Sequence, residues 1–420
     1  MATGELSPAD WVKLYSLAGD VFTPSAPIDR QDLFAGRIPQ LAAILEAVHS
    51  KGQHAIVFGE RGVGKTSLVS MLGHVRDLRF DGMVPVSRVN CTGEDTFGEL
   101  WRRALVVPGG SIKRQSIGFA SETTHVELRL AQALPDKASP GDVIDLLRKI
   151  TVPIAFVFDE FDRAPTNVSK AFADTIKALS DHAALPTIVL VGVGENVQAL
   201  LAAHASVDRA LVQIRMPRME PDELRKIIEN AQKKIEIAFD KQASHRVVRL
   251  SQGLPHYVHL LGLCSAREAI NHESRAVSVE HVVAGMKVAV SKAPQTTMHA
   301  YSQAVDSARS DARFRQVLLA CALARTDDRN SFSAADVRTA LHAIGQKMDI
   351  PAFASHLNKF TAKDRGNVLE KLGASRRFRY RFRNPLMQPY VLLRGLADGL
   401  VSQEIFERAL PSREPPGARL

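Results

Sequence analysis

Cysteine is scarce in this 420-residue chain: Cys91, Cys264 and Cys321 stand far apart and odd in number. No two are at metal-ligand spacing, and an isolated odd set makes no disulfide framework. They read as reduced core thiols of a cytosolic protein. Long apolar runs are missing as well. None approaches the ~20 residues of a membrane span, so no membrane partner is expected. The opening residues, Met-Ala-Thr-Gly-Glu-Leu-Ser, lack the basic-then-apolar order of a secretory leader. The expected location is cytoplasmic. Internal repeats and long low-complexity tracts are also absent. Acidic residues run short at one end only. Residues 301–420 hold 20 Lys+Arg against 12 Asp+Glu, while the first 300 hold 34 against 33. A positive field confined to one end points to a polyanion-facing module there. A basic face that is merely solvated is the plainer alternative.

What is present begins with a 45 % hydrophobic composition, enough for globular cores, and a length that suits two or three modules. Residues Gly59-Glu60-Arg61-Gly62-Val63-Gly64-Lys65-Thr66 read G-x-x-x-x-G-K-T, a phosphate-binding P-loop. His54 to Phe58 is a short apolar run, read as a buried strand. Ser67 to Leu72 continues as a helix. Strand, Gly-rich loop and helix N-terminus make the anion site that polyphosphates use. The backbone from Gly59 to Ser67 is therefore the expected cofactor-binding segment. Lys65 can reach the β and γ oxygens of ATP, and Thr66 can hold Mg²⁺. A chance match to the bare pattern arises on the order of one per cent of the time in a chain this long. The strand before it lowers that further.

A second motif is Ile154-Ala155-Phe156-Val157-Phe158-Asp159-Glu160, an apolar strand ending in two acids. It delivers Asp159 as a metal-orienting carboxylate and Glu160 as a general base for the attacking water. Asp162 reads as a surface or capping acid. Further apolar strands are expected at Val84–Asn90, Thr187–Gly192 and Leu211–Met216, alternating with helices. That order argues an α/β sheet of mainly parallel strands. The N-terminal extension, 1–30, holds a helix from Pro8 to Leu17. Residues 31–219 form the core. Helical periodicity fills 220–294 with no β signal. A third module spans 295–400, and 401–420 is a tail.

With these pieces placed, residues 20–395 resemble the AAA+ ATPases. The likeness is to the clade of origin-recognition initiators and to the related signal-transduction ATPases with a Gly-x-Pro motif. The resemblance implies an α/β P-loop NTPase three-layer core with parallel sheet, followed by an all-α lid and a winged helix-turn-helix domain. It implies ATP and Mg²⁺ as cofactors and assembly as a homo-oligomer with ATP. It assigns Gly36 and Arg37 to the base or ribose; a helix-entry turn with an exposed arginine is the alternative. It makes Asn90 a switch on Glu160 and Asn196 the fourth-strand sensor. Arg209, just before the fifth strand, takes the place of an arginine finger, against a surface ion pair with Asp208. In the lid, Pro255 and His256 close a Gly-x-Pro-His sequence where initiators carry a sensor arginine; the alternative there is a capping turn.

The third module reads as three helices (Ala312 to Ala324; one capped by Ser333; Pro351 to Phe360) and a hairpin (Gly366 to Leu372, Arg376 to Phe382). Along Arg377-Phe378-Arg379-Tyr380-Arg381-Phe382-Arg383, period-two alternation puts arginines on one face and aromatics on the other. Arg377, Arg379, Arg381, Arg383 and Lys359 are the expected nucleic-acid contacts. The competing reading pairs these arginines with acids of the ATPase core. The expected function is a slow, switch-like ATPase acting on or regulated by DNA. The alternative is a signal-responsive switch whose third module binds protein or its own core, with a separate effector protein delivering the output.

Overall fold

The computed structural model describes residues 6–410 except 29, 31, 75, 78–81, 108–110, 114–122, 126–127, 195–196, 202–204, 308–312 and 375–376. The sensor candidate Asn196 lies outside the described residues. The chain divides into two compact units, Pro27–Pro217 and Met1–Ala26 together with Arg218–Leu420.

In the first unit, β1 (His54–Gly59), β2 (Val86–Asn90), β3 (Ala155–Asp159), β4 (Thr187–Val193) and β5 (Leu211–Met216) form one sheet. All pairings are parallel, in the order β5-β1-β4-β3-β2. Burial follows position. Every residue of β1 and β3 is buried, as is β4 up to Gly192, while the edge strands β2 and β5 alternate. A strand covered on both faces must be apolar throughout, which is why the central runs carry no alternation. His54 is the polar member of β1. Its Nδ1 accepts the Ile188 N–H at 3.0 Å, and burial pushes its pKa down to about 3. The ring is neutral, as an acceptor must be.

The strand that carries the acidic pair is anchored by aromatics. Helix Phe97–Ala104 buries Phe97, Leu100, Trp101 and Ala104, one face at helical spacing. Trp101 stacks on Phe172 at 5.7 Å between centroids and meets Phe156 and Phe158 edge-on at 5.5 and 5.0 Å. Such pairs add to plain burial, so β3 sits in the most densely aromatic part of the core.

The second unit is helical. Pro8–Val21 runs a turn beyond the expected end at Leu17, because Ala18 and Val21 are buried. Phe22, just after it, lies against Gly262, where an added Cβ would stand 2.5 Å from the ring. Helices Pro221–Ile235, Lys241–Leu250, Pro255–Asn271 and Val279–Ser291 follow. The expectation of no β structure there is corrected by a parallel pair, Ala238–Phe239 with Ala276–Val277. Two residues per strand are too short for a period to show in sequence.

Next come Gln295–Val305, Phe314–Leu323, Ala334–Ala343 and Ile350–Lys359, then the antiparallel hairpin β6 (Leu369–Leu372) and β7 (Arg379–Phe382). Both strands are shorter than expected. Gly366 takes φ 71° after a 3-10 turn and packs on the Ala300 carbonyl, so β6 starts later. Ser333 caps its helix in a reciprocal box with Asp336. Ser333→Ala should cost about 1 kcal/mol, read as a lower urea midpoint with an unchanged slope.

Candidate nucleotide site

The carboxyl ends of the strands gather the site. Register places Gly59 beside Val193 and Met216, and Asn90 beside Asp159. Ligands of open parallel sheets bind at this edge. Gly59 has φ 157° and Gly62 and Gly64 have φ 85° and 94°. An added Cβ on Gly59 would stand 2.4 Å from the Met216 carbonyl, so no side chain fits there. The loop between Gly59 and Gly64 holds Glu60, Arg61 and Val63; Arg61 is exposed and Val63 buried.

Lys65 opens the P-loop helix, Lys65–Ser70, and is buried. Its Nζ donates to the carbonyls of Gly59 at 3.0 Å and Glu60 at 2.8 Å. Its ammonium thus curls over its own loop, bonded to oxygens where a phosphate would offer stronger ones. Burial pushes its pKa down to about 8, against the pull of Asp162, Asp159 and Glu60. An anion brought into the loop would push it up again. Ser67 Oγ accepts the Ile28 N–H at 3.0 Å, tying the segment before the core to the P-loop helix. Thr66 is half-buried, and its carbonyl accepts Ser70 Oγ at 2.9 Å.

Asp159 ends β3 almost fully buried. Its Oδ1 accepts the Glu160 N–H at 2.9 Å, and its Oδ2 accepts Arg88 Nη2 at 2.9 Å. Glu160 follows with φ 54°, a left-handed conformation that bulky residues adopt at some cost. Its Oε2 accepts Arg163 Nη1 at 2.6 Å. Asp162 does more than cap. Its Oδ1 accepts the Val193 N–H at 2.8 Å and joins this acidic turn to the end of β4. Gly192 leaves room for that contact; a Cβ there would stand 3.0 Å from Asp162 Oδ1 and 2.6 Å from Leu200.

The other candidates fall as follows. Asn90 is exposed at the end of β2, and Glu160 is held by Arg163 instead. Gly36 and Arg37 both have positive φ and lead into the helix Ile38–His49. Arg37 is buried, not exposed, and its guanidinium donates to the Pro217 carbonyl. Arg209 lies in a 3-10 turn directly before β5. Its side chain is exposed and makes no ion pair among the described residues. Pro255 and His256 belong to the second unit, at the start of Pro255–Asn271, where the His256 Nδ1 bonds the Pro24 carbonyl at 2.8 Å.

The basic hairpin departs from the expected free arginine face. Alternation holds: Tyr380 and Phe382 are buried and Arg379 and Arg381 face the other way. Both arginines are partnered. Arg379 bonds Ser331 and pairs with Asp327 at 3.0 Å. Arg381 bonds Glu370 across the strands at 2.6 Å. The partners belong to the same module, not to the unit Pro27–Pro217. Arg377, Arg383 and Lys359 are exposed, and Lys371 lies over the exposed Phe378 ring at 3.7 Å.

Sequence reasoning missed Arg88, Arg163 and the role of Asp162. A signal existed for Arg88: it stands two residues before Asn90 and so shares its face of the strand.

A family model described as novel STAND NTPase 1 matches residues 27–361, about four-fifths of the chain. No curated protein matches the chain. Among solved structures, it is similar to Cdc6p from Pyrobaculum aerophilum, at 14 % identity over 94 % of this chain and 99 % of that one, with a TM-score of 0.44. The Walker-type ATPase of Pyrococcus abyssi matches at 15 % identity over 88 % and 99 %, TM-score 0.48. The Aeropyrum pernix ORC1 protein in complex with DNA matches at 14 % over 92 % and 98 %, TM-score 0.42.

Proposed function

The chain belongs to the novel STAND NTPase 1 family, and from that premise we propose that it is an ATP-binding and ATP-hydrolysing switch of AAA+ type. One observation carries the reading. The P-loop lysine, the buried Asp159 and the adjoining Glu160 lie at one edge of a parallel sheet, the lysine bonded to loop carbonyls that phosphate oxygens would replace and the two acids paired with arginines.

The roles divide by chemistry. Backbone N–H groups from Gly59 to Ser67 hold the phosphates, and Lys65 bonds their outer oxygens. Gly36 and Arg37 border the nucleoside. Thr66 and Asp159 would hold Mg²⁺. One hydroxyl and one buried carboxylate, completed by phosphate oxygens, is a donor set that suits this hard cation. The metal's contribution is to offset negative charge on the phosphates. Glu160 accepts a proton from the attacking water once Arg163 lets go of it. Arg209 serves a neighbouring subunit, and Pro255 and His256 are the lid residues assigned to the nucleotide. The chain divides functionally into a core at 31–219, a lid at 220–294 and a winged helix at 295–400.

The third module contacts DNA phosphates through its exposed basic residues. Arg377, Arg383 and Lys359 are the contacts to test, because Arg379 and Arg381 are tied within the module. Changing Arg377 and Arg383 to Glu should lower DNA affinity by about tenfold or more and flatten its salt dependence, with unchanged basal ATP turnover. Turnover with and without DNA, alongside solution mass with ATP, checks the whole reading. DNA affinity that the double variant does not change would sink the phosphate-contact assignment.

A second reading, a signal-responsive switch whose third module binds protein, is favoured by one observation. The pairs Arg379–Asp327 and Arg381–Glu370 engage part of the basic charge within the module itself.

A further inference from the structure

Arg88 projects from β2 and joins the two halves of the phosphate site. Nη2 donates to Asp159 Oδ2 at 2.9 Å, and Nη1 donates to Ser70 Oγ at 2.8 Å. Ser70 in turn donates to the Thr66 carbonyl at 2.9 Å. One guanidinium therefore links the acidic strand end to the P-loop helix. The link runs between Asp159 and Thr66, the two residues assigned above to the metal. With Oδ1 taken by the Glu160 N–H, both oxygens of Asp159 are engaged.

The Asp159 side chain is 4 % exposed and that of Arg88 28 %. A buried carboxylate needs a partner or it destabilises the fold. Lys65 is drawn toward Asp159 electrostatically, but its ammonium bonds the Gly59 and Glu60 carbonyls. Arg88 is thus the direct counter-ion. A guanidinium offers only N–H donors and cannot ligate a cation. Its positive charge beside Asp159 also opposes the arrival of a dication.

We propose that Arg88 is a built-in competitor of Mg²⁺: it neutralises Asp159 in the nucleotide-free site, and metal-nucleotide loading requires its bond to Asp159 to open. The clamp raises the metal concentration at which the site fills, and it re-forms when the metal leaves. Arg88 is a positioning residue here; it acts through Asp159 and touches no reacting atom. The proposal rests on reading the P-loop and Asp159 as a metal-nucleotide site.

The test is an equilibrium titration of the full chain with a fluorescent ADP analogue while Mg²⁺ is varied, starting from excess chelator. Arg88→Met should lower the half-saturating Mg²⁺ concentration by about tenfold, the scale of one charge-assisted hydrogen bond. Ser70→Ala removes only the second anchor and should lower it by about twofold to threefold. A purely structural arginine would lower the melting temperature and leave the Mg²⁺ requirement where it was. That result with Arg88→Met overturns the proposal. Should Arg88→Met not fold, an unchanged requirement in Ser70→Ala does the same. Failure of the underlying reading looks different: the parent chain and Lys65→Ala would bind the analogue equally, with or without Mg²⁺.

Discussion

Lys65→Ala is expected to abolish tight ATP binding, while Glu160→Gln keeps binding and loses turnover. The two residues do different work. Lys65 is buried, and in the proposed function its two bonds to loop carbonyls would exchange on loading for bonds to charged phosphate oxygens. Charge-assisted bonds contribute about 1.5–3 kcal/mol each. Losing both should weaken affinity by two to four orders of magnitude, roughly tenfold per 1.4 kcal/mol. Glu160 is exposed and bonded to Arg163, away from the lysine's contacts. A glutamine there keeps the shape and loses the basicity. Removal of a general base should cost turnover about 10²–10⁴-fold. Equilibrium binding of a fluorescent nucleotide and steady-state phosphate release separate the two effects. Parental turnover in Glu160→Gln would refute the general-base assignment.

Mixing Arg209→Ala with Glu160→Gln subunits should restore turnover that neither has alone. Arg209 is exposed in the 3-10 turn before β5 and makes no ion pair among the described residues, so its charge is available to a second molecule. A guanidinium supplied across an interface stabilises transition-state charge and is worth 10³–10⁵-fold in related phosphoryl transfers. In a mixed assembly, some interfaces pair an intact Glu160 with an intact Arg209. Recovery measured against mixing ratio checks this. A chain that stays monomeric with ATP at micromolar concentration, or a mixture no more active than its parts, removes Arg209 from the site.

Legibility followed the distance over which the chemistry is written. The P-loop is eight consecutive residues, so its glycines, Lys65 and Thr66 could be read in order. The positive φ angles of Gly59, Gly62 and Gly64 agree with that reading. The strands were legible because three of them are buried on both faces and run apolar without a break. The parallel pair near Phe239 and Val277 escaped because two residues show no period. The arginine stripe in β7 was legible as alternation, yet alternation reports only which face a side chain takes. It does not report what waits there. Asp327 and Glu370 meet Arg379 and Arg381 because hairpin register and the Phe332–Tyr380 bridge bring them together.

The sequence by itself determined the chemistry of the phosphate site: a Gly-rich loop, a lysine, a hydroxyl and two acids at the end of an apolar strand. These are local, and local backbone geometry follows from residue type. Tertiary structure alone decided how Asp159 and Asp162 are held, whereas Glu160 meets Arg163 locally, three residues on. Arg88 and Asp159 are 71 residues apart and meet only because β2 and β3 are sheet neighbours in parallel register. Asp162 reaches Val193 only because β4 lies beside β3. A buried carboxylate such as Asp159, brought beside a guanidinium by strand order, interacts far more strongly with it than the same residues spaced along a solvated chain.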